Sequence, residues 1–151
     1  DPQRAPLKYL IGASQPRLIE AVAIMESNIE EPLGLDAISE SVGISRRQLE
    51  RLFNRYLHRS PSRYYLELRL SRARLLLLQS SMPMIEIAIS CGFSTAPHFS
   101  KCYSDIYGNP PSKERSLRAW SATTAALKWH RPNGSWNGLF TFLHLSRVRI
   151  C

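Results

Sequence analysis

Arg46, Arg47, Gln48, Glu50, Arg51 and Arg55 would share the outward side of one helix. These are the residue types that read base edges. Arginine can donate two hydrogen bonds to guanine O6 and N7, glutamine can bridge adenine, and glutamate can accept from cytosine N4. A second group, Thr95, Ala96, Pro97, His98, Ser100 and Lys101, has fewer donors. In that group Lys101 suits a phosphate or a guanine, and His98 suits a base or a phosphate. Pro97 is tolerated because the first turn of a helix needs no N–H from it. A helix that shows such side chains near its N-terminal end fits the major groove of duplex DNA. Blander readings stand beside this one: a solvated arginine-rich face, His98 as an ordinary surface residue, and Glu50 as an ion-pair partner that only orients Arg47 or Arg51.

The elements that must position these residues follow from apolar spacing. Residues 1–16 hold three prolines and no sustained period, as a linker does. The chain opens at Asp1 rather than Met, as expected of a processed chain or an excised fragment. From Arg17 to Ile29, Leu18, Ala21, Val22, Met25 and Ile29 recur at helical spacing, and Pro32 and Gly34 end the run. Leu35, Ile38 and Val42 predict a short helix closed by Gly43. Ser45 is suited to cap a helix to about Tyr56, with Leu49, Leu52, Phe53 and Tyr56 inward. Pro61 suits the first turn of a long helix over 62–80, apolar at Tyr64, Tyr65, Leu68, Ala73, Leu75, Leu76 and Leu77. Pro83 interrupts, and a short helix from Met84 to Cys91 and a longer one to about Tyr107 follow. Pro110 and Pro111 then open a last turn or short helix near Lys113.

Charge is segregated along the chain. The net charge is +8, but residues 116–151 supply five basic groups and no acid, so residues 1–115 have a net of only +3. Residues 17–44 hold one Arg against six acids, and residues 45–74 hold nine Arg against two Glu. A polyanion would feel the second block, because exposed charges act over about 8–10 Å.

The chain also repeats itself. Leu35, Ile38, Val42 and Gly43 correspond to Met84, Ile87, Cys91 and Gly92 at an offset of 49. Leu49, Arg51, Phe53, Pro61 and Ser62 correspond to Phe99, Lys101, Tyr103, Pro111 and Ser112 at an offset of 50, so the second turn has gained a residue. Each unit reads short helix, glycine turn, longer helix, which is the helix-turn-helix order. The expected fold is all-α, with two helix-turn-helix subdomains (about 35–56 and 84–107) joined by the long helix over 62–80.

Over residues 17–115 the sequence resembles the DNA-binding domain of the AraC/XylS family of transcription activators. The match is sharpest in IEIAISCGFSTAPHFSKCYSDIYGNPPSKER, residues 85–115. The family signature falls on Ile87, Ala88, Gly92 and Phe93, then on Phe99, Lys101, Tyr103, Tyr107, Gly108 and Pro111. The wording resembles a subgroup whose N-terminal half is a glutamine-amidotransferase-like sensor and which includes regulators of arginine or quaternary-amine catabolism. The resemblance implies seven helices in two homeodomain-like subdomains, base contacts at Arg47, Glu50 and Arg51, and RNA polymerase as a partner. It further implies a sensor and dimerisation domain outside this chain, and a cytoplasmic, nucleoid-associated bacterial activator.

Several classes are disfavoured. The chain has no run of about 18 apolar residues and no signal-peptide pattern. Cys91, Cys102 and Cys151 lack C-x-x-C spacing, which argues against zinc and against a disulfide framework and suits a reducing compartment. The same three cysteines do not supply the ligand cluster of a DNA-alkylation sensor fused to such a module. No phosphate loop, carboxylate pair or Ser-His-Asp arrangement is evident, so no enzyme activity and no cofactor are expected. A protein-binding all-α module would leave the arginine block unexplained. Residues 116–151 do not resemble the family and hold all three Trp. They read as a flexible basic tail, a docking segment or a non-native extension, with an apolar stretch at Leu139–Leu145 suited to a strand.

Overall fold

The computed structural model describes residues 15–129, with side chains to residue 124. Seven helices and no strand are found among the described residues: α1 (Pro16–Ser27), α2 (Leu35–Val42), α3 (Arg46–Leu57), α4 (Pro61–Gln79), α5 (Met84–Ser90), α6 (Ala96–Tyr107) and α7 (Pro111–Trp129). The expected all-α architecture with two helix-turn-helix pairs, α2–α3 and α5–α6, is what the structure has.

Each pair closes a three-helix unit around its own core. Leu18, Ala21 and Met25 of α1 meet Ile38, Val42, Leu49 and Phe53. Leu70, Ala73 and Leu77 of α4 meet Ile87, Ala88, Cys91, Phe99 and Tyr103. Thus α4 is two things at once. Its first half packs Tyr65 into the first core, and its second half is the opening helix of the second unit. The repeat therefore begins earlier than Leu35. Arg17, Leu18, Ala21 and Met25 correspond to Arg69, Leu70, Ala73 and Leu77 at an offset of 52. Because α4 serves two cores from different faces, its apolar residues follow no single stripe. Leu75, read as inward from sequence, is 50% exposed, and Leu70 is fully buried.

Capping sets where α3 begins. The Ser45 side chain accepts from the Gln48 N–H, and the Gln48 side chain accepts from the Ser45 N–H at 3.0 Å, a reciprocal capping box. Thr95 does the single-bond version for α6, accepting from the His98 N–H at 3.3 Å. Ser45→Ala is expected to cost about 1 kcal/mol of stability, read by urea denaturation, because the Gln48 N–H loses its acceptor.

Three boundaries differ from the sequence reading. Helix α1 starts at Pro16, inside the span read as linker, and Gln15 donates to the Tyr56 hydroxyl at 2.9 Å. It also stops at Ser27 rather than Ile29, because Asn28 leaves helical geometry and its carbonyl accepts from the Tyr65 hydroxyl. That break frees Ile29 to pack against the second core. The segment near Lys113 is no short turn but the 19-residue α7. The two prolines that suggested a turn instead place Pro111 at the first helical position, where its missing N–H costs nothing.

The chain divides into two units, residues 1–115 and 116–151. In the second, α7 runs on to Trp129, with Leu117 and Trp120 exposed. The stretch at Leu139–Leu145 lies outside the described residues.

Candidate nucleic-acid interface

Helix α3 buries Leu49 and Phe53 and turns its other side to solvent. Arg46, Arg47, Gln48, Arg51 and Arg55 are exposed, and Glu50 is half-buried. The structure brings all six together on one helix at its N-terminal end and outer face, but they are not equally free. Arg46 reaches Asp36 at 3.5 Å and Glu50 at 3.4 Å. So Glu50 is paired as the blander reading held, but with Arg46 four residues back rather than with Arg47 or Arg51. Gln48 has its amide oxygen engaged by Ser45, so in this conformation it does not offer both amide groups to an adenine. Arg47 and Arg51 enter no hydrogen bond or ion pair within the described fold, and Arg55 lies over the Tyr56 ring at 5.6 Å. An open groove along α3 is lined by Gln48, Arg51, Asn54 and Arg55, with Gln15 and Tyr56.

Helix α6 presents a shorter polar set. Thr95, Pro97, His98 and Lys101 are exposed, and Ala96 and Ser100 are half-buried. Thr95 is engaged as the cap, and the His98 ring meets the edge of Phe93 with centroids 5.6 Å apart. Lys101 is therefore the one charged side chain of this set. Beneath the surface, the rings of Phe93, Phe99, Tyr103 and Tyr107 meet in series in tilted or edge-on contacts, with successive centroids 5.3, 5.8 and 4.7 Å apart. This aromatic file fixes the roll of α6 and hence which residues face out.

Of the remaining arginines of the basic block, Arg59, Arg63, Arg69 and Arg74 have partners within the fold, and Arg72 is exposed. Arg69 does not reach outward to a phosphate. It donates from Nε to the Cys91 carbonyl at 2.8 Å and from Nη2 to the Gly92 carbonyl at 2.6 Å, with its guanidinium over Phe93 at 4.2 Å. Arg17 plays the equivalent part in the first unit, donating to the Val42 carbonyl at 2.7 Å. In both units an arginine of the opening helix satisfies carbonyls left over where the short helix ends. Sequence reasoning missed this pair; the signal was the repeated Arg-Leu-x-x-Ala of residues 17–21 and 69–73. Arg74 pairs with Glu114 at 2.7 Å and covers Tyr107 at 4.5 Å. Glu114 also accepts from the Tyr103 hydroxyl. Burial, with the Glu114 carboxylate beside it, pushes that phenol up, so it stays a neutral donor. Arg115 donates to the carbonyls of Leu77, Ser80 and Met82 at 2.7–3.1 Å, closing the end of α4. Arg63 pairs with Glu67 at 2.9 Å, and Arg59 pairs with the same carboxylate.

Cys91 is buried and its thiol is pushed up to about 11 by burial, the wrong direction for a nucleophile. Among the described residues no cluster of His, Cys, Asp and Glu is placed to hold a metal, and no helix is long and apolar enough to cross a membrane.

The comparisons agree with this geometry. A family model described as a helix-turn-helix domain matches residues 38–116. A crystal structure of a transcriptional regulator from Chromobacterium violaceum, described as an AraC-type DNA-binding domain-containing protein, is 57% identical with a TM-score of 0.67. The match covers 70% of this chain and 95% of that one. The chain belongs to the AraC-type helix-turn-helix family. Two relatives of this AraC-type domain come from Pseudomonas aeruginosa. The HTH-type transcriptional regulator GbdR is 61% identical over 115 residues, covering 76% of this chain and 31% of that protein. The HTH-type transcriptional regulator ArgR is 55% identical over 116 residues, covering 77% and 35%. The AraC-type chain thus spans about a third of the length of the curated relatives it matches.

Proposed function

We propose that the chain is the sequence-specific, double-stranded DNA-binding part of a transcription regulator, and that it reads two successive major-groove segments with α3 and α6. The observation that carries this reading is the pair of capped, outward-facing helices, each held by an equivalent three-helix unit, with Arg47 and Arg51, unpaired among the described residues, on one and exposed Lys101 on the other. In this reading Arg47 and Arg51 contact guanines, Arg55 and Lys101 contact phosphates, and Glu50 and Arg46 act as a linked pair. Gln48 must break its capping bond to read a base, and Thr95, Ala96, Pro97, His98 and Ser100 line the second groove. Helix α4 has 19 residues, about 28 Å at 1.5 Å per residue. Successive major-groove faces lie about 34 Å apart, so a connector of this length suits adjacent segments.

The relatives' greater length leaves room for a sensor and dimerisation domain, and a glutamine-amidotransferase-like one fits the sequence resemblance. Activation through RNA polymerase, and a cytoplasmic, nucleoid-associated site of action, belong to the same reading.

The test is selection of a preferred duplex from a random pool, followed by scrambling either segment of it. Because α3 has more donors, scrambling its segment should weaken binding more than scrambling that of α6. Equal losses would refute the ranking, and failure to enrich any sequence would refute the function.

A further inference from the structure

The turn of the second unit is not built from that unit alone. A Cβ added to Gly92 would lie 2.5 Å from Pro32 Cγ and 2.6 Å from the Ile29 carbonyl oxygen, both in the α1–α2 loop of the first unit. The Ile29 side chain packs against the second core. Tyr65 of α4 ties that loop down, donating to the Asn28 carbonyl and accepting from the Leu33 N–H at 3.2 Å. From the other side Arg69 holds the Cys91 and Gly92 carbonyls. The first turn has no such wall. Gly43 has a similar φ of 74°, against 80° for Gly92, yet its nearest neighbour for an added Cβ is Arg17 Nη1 at 3.7 Å. The two glycines share a left-handed φ and differ in what encloses them.

We propose that this clasp of Ile29, Pro32, Tyr65, Arg69 and Gly92 sets the register between α3 and α6, and so selects the spacing of the two DNA segments. The proposal rests on the two-segment reading above. A single helix shared by two units can still bend and twist between them, whereas a second, close-packed contact restricts those motions. The clasp residues are positioning residues and need not touch DNA. Inserting one base pair shifts the second segment by about 3.4 Å and rotates it by about 35°, more than a close-packed joint can follow.

The experiment uses the full 151-residue chain and the duplex it selects, together with versions lengthened or shortened by one base pair between the segments. The wild-type chain should prefer native spacing by about tenfold or more, because both readers engage only there. Ile29→Ala with Pro32→Ala, and separately Gly92→Ala, should shrink that preference to about threefold or less by restoring relative motion. Gly43→Ala shares the backbone strain but not the clash, and should keep the full preference. The Ile29/Pro32 double variant leaves both turns unaltered, so it carries the test if Gly92→Ala does not fold. Affinity for each segment presented alone should not change in the double variant, whereas a loss of structure in either unit would lower the affinity for its own segment. Wild-type spacing preference in the double variant and in Arg69→Met would overturn the clasp. A wild-type chain indifferent to spacing would overturn the two-segment reading itself.

Discussion

Arg47 and Arg51 replaced together by alanine should reduce binding to the selected duplex by roughly 30-fold at the least, since each two-bond contact to guanine is worth about 1–3 kcal/mol. Binding to mixed-sequence DNA should fall only several-fold, because it depends on the summed charge rather than on any one pair. The fold should be untouched: both side chains are exposed, and neither enters a hydrogen bond or ion pair within the described fold. Anisotropy titrations of labelled duplex at fixed salt, with helical content checked by circular dichroism, would measure both terms. Arg46→Ala is the natural contrast. Its guanidinium already serves Asp36 and Glu50, so it should affect specificity less. If the double variant kept its full preference for the selected sequence, these two residues would not be the base readers.

The other large effect concerns the second unit. Phe99 is fully buried between Phe93 and Tyr103, and Phe99→Ala should cost about 3–5 kcal/mol. The loss falls on one unit because the cores are separate, with Phe99 in the second and Leu49 and Phe53 in the first. The expected result is a chain whose α3 still binds while α6 does not. Its protected region should shrink to one segment, and affinity should fall by about 10²-fold or more as the tethered second contact is lost. Hydroxyl-radical footprinting would show the shortened protection, and thermal denaturation the lowered Tm. A full-length footprint from this variant would mean that α6 does not depend on the aromatic file beneath it.

Much of this was legible in the residues. The helix-turn-helix order, the cap at Ser45 and the paired glycines follow from local rules that tertiary structure did not override. What was not legible came from residues with two duties. Helix α4 serves two cores, so its apolar pattern hid Leu70 and wrongly offered Leu75. Arginine is the other case. A count of nine in residues 45–74 marks a basic block but does not say which members face DNA. Arg46, Arg59, Arg63, Arg69 and Arg74 all have partners within the fold, which leaves Arg47, Arg51, Arg55 and Arg72 as the exposed positive field. A guanidinium binds a backbone carbonyl, a carboxylate or a phosphate with the same donors, so composition does not separate these fates. The contact of Pro32 with Gly92 lies across units and has no local signature at all.

Methylation interference on the selected duplex tests the central claim most directly. Methyl groups placed on guanine N7 project into the major groove and block any helix seated there. Two clusters of interfering guanines, centred about 10 base pairs apart and on one side of the duplex, are the predicted result. A single cluster, or interference confined to the minor groove when adenine N3 is methylated, would contradict it.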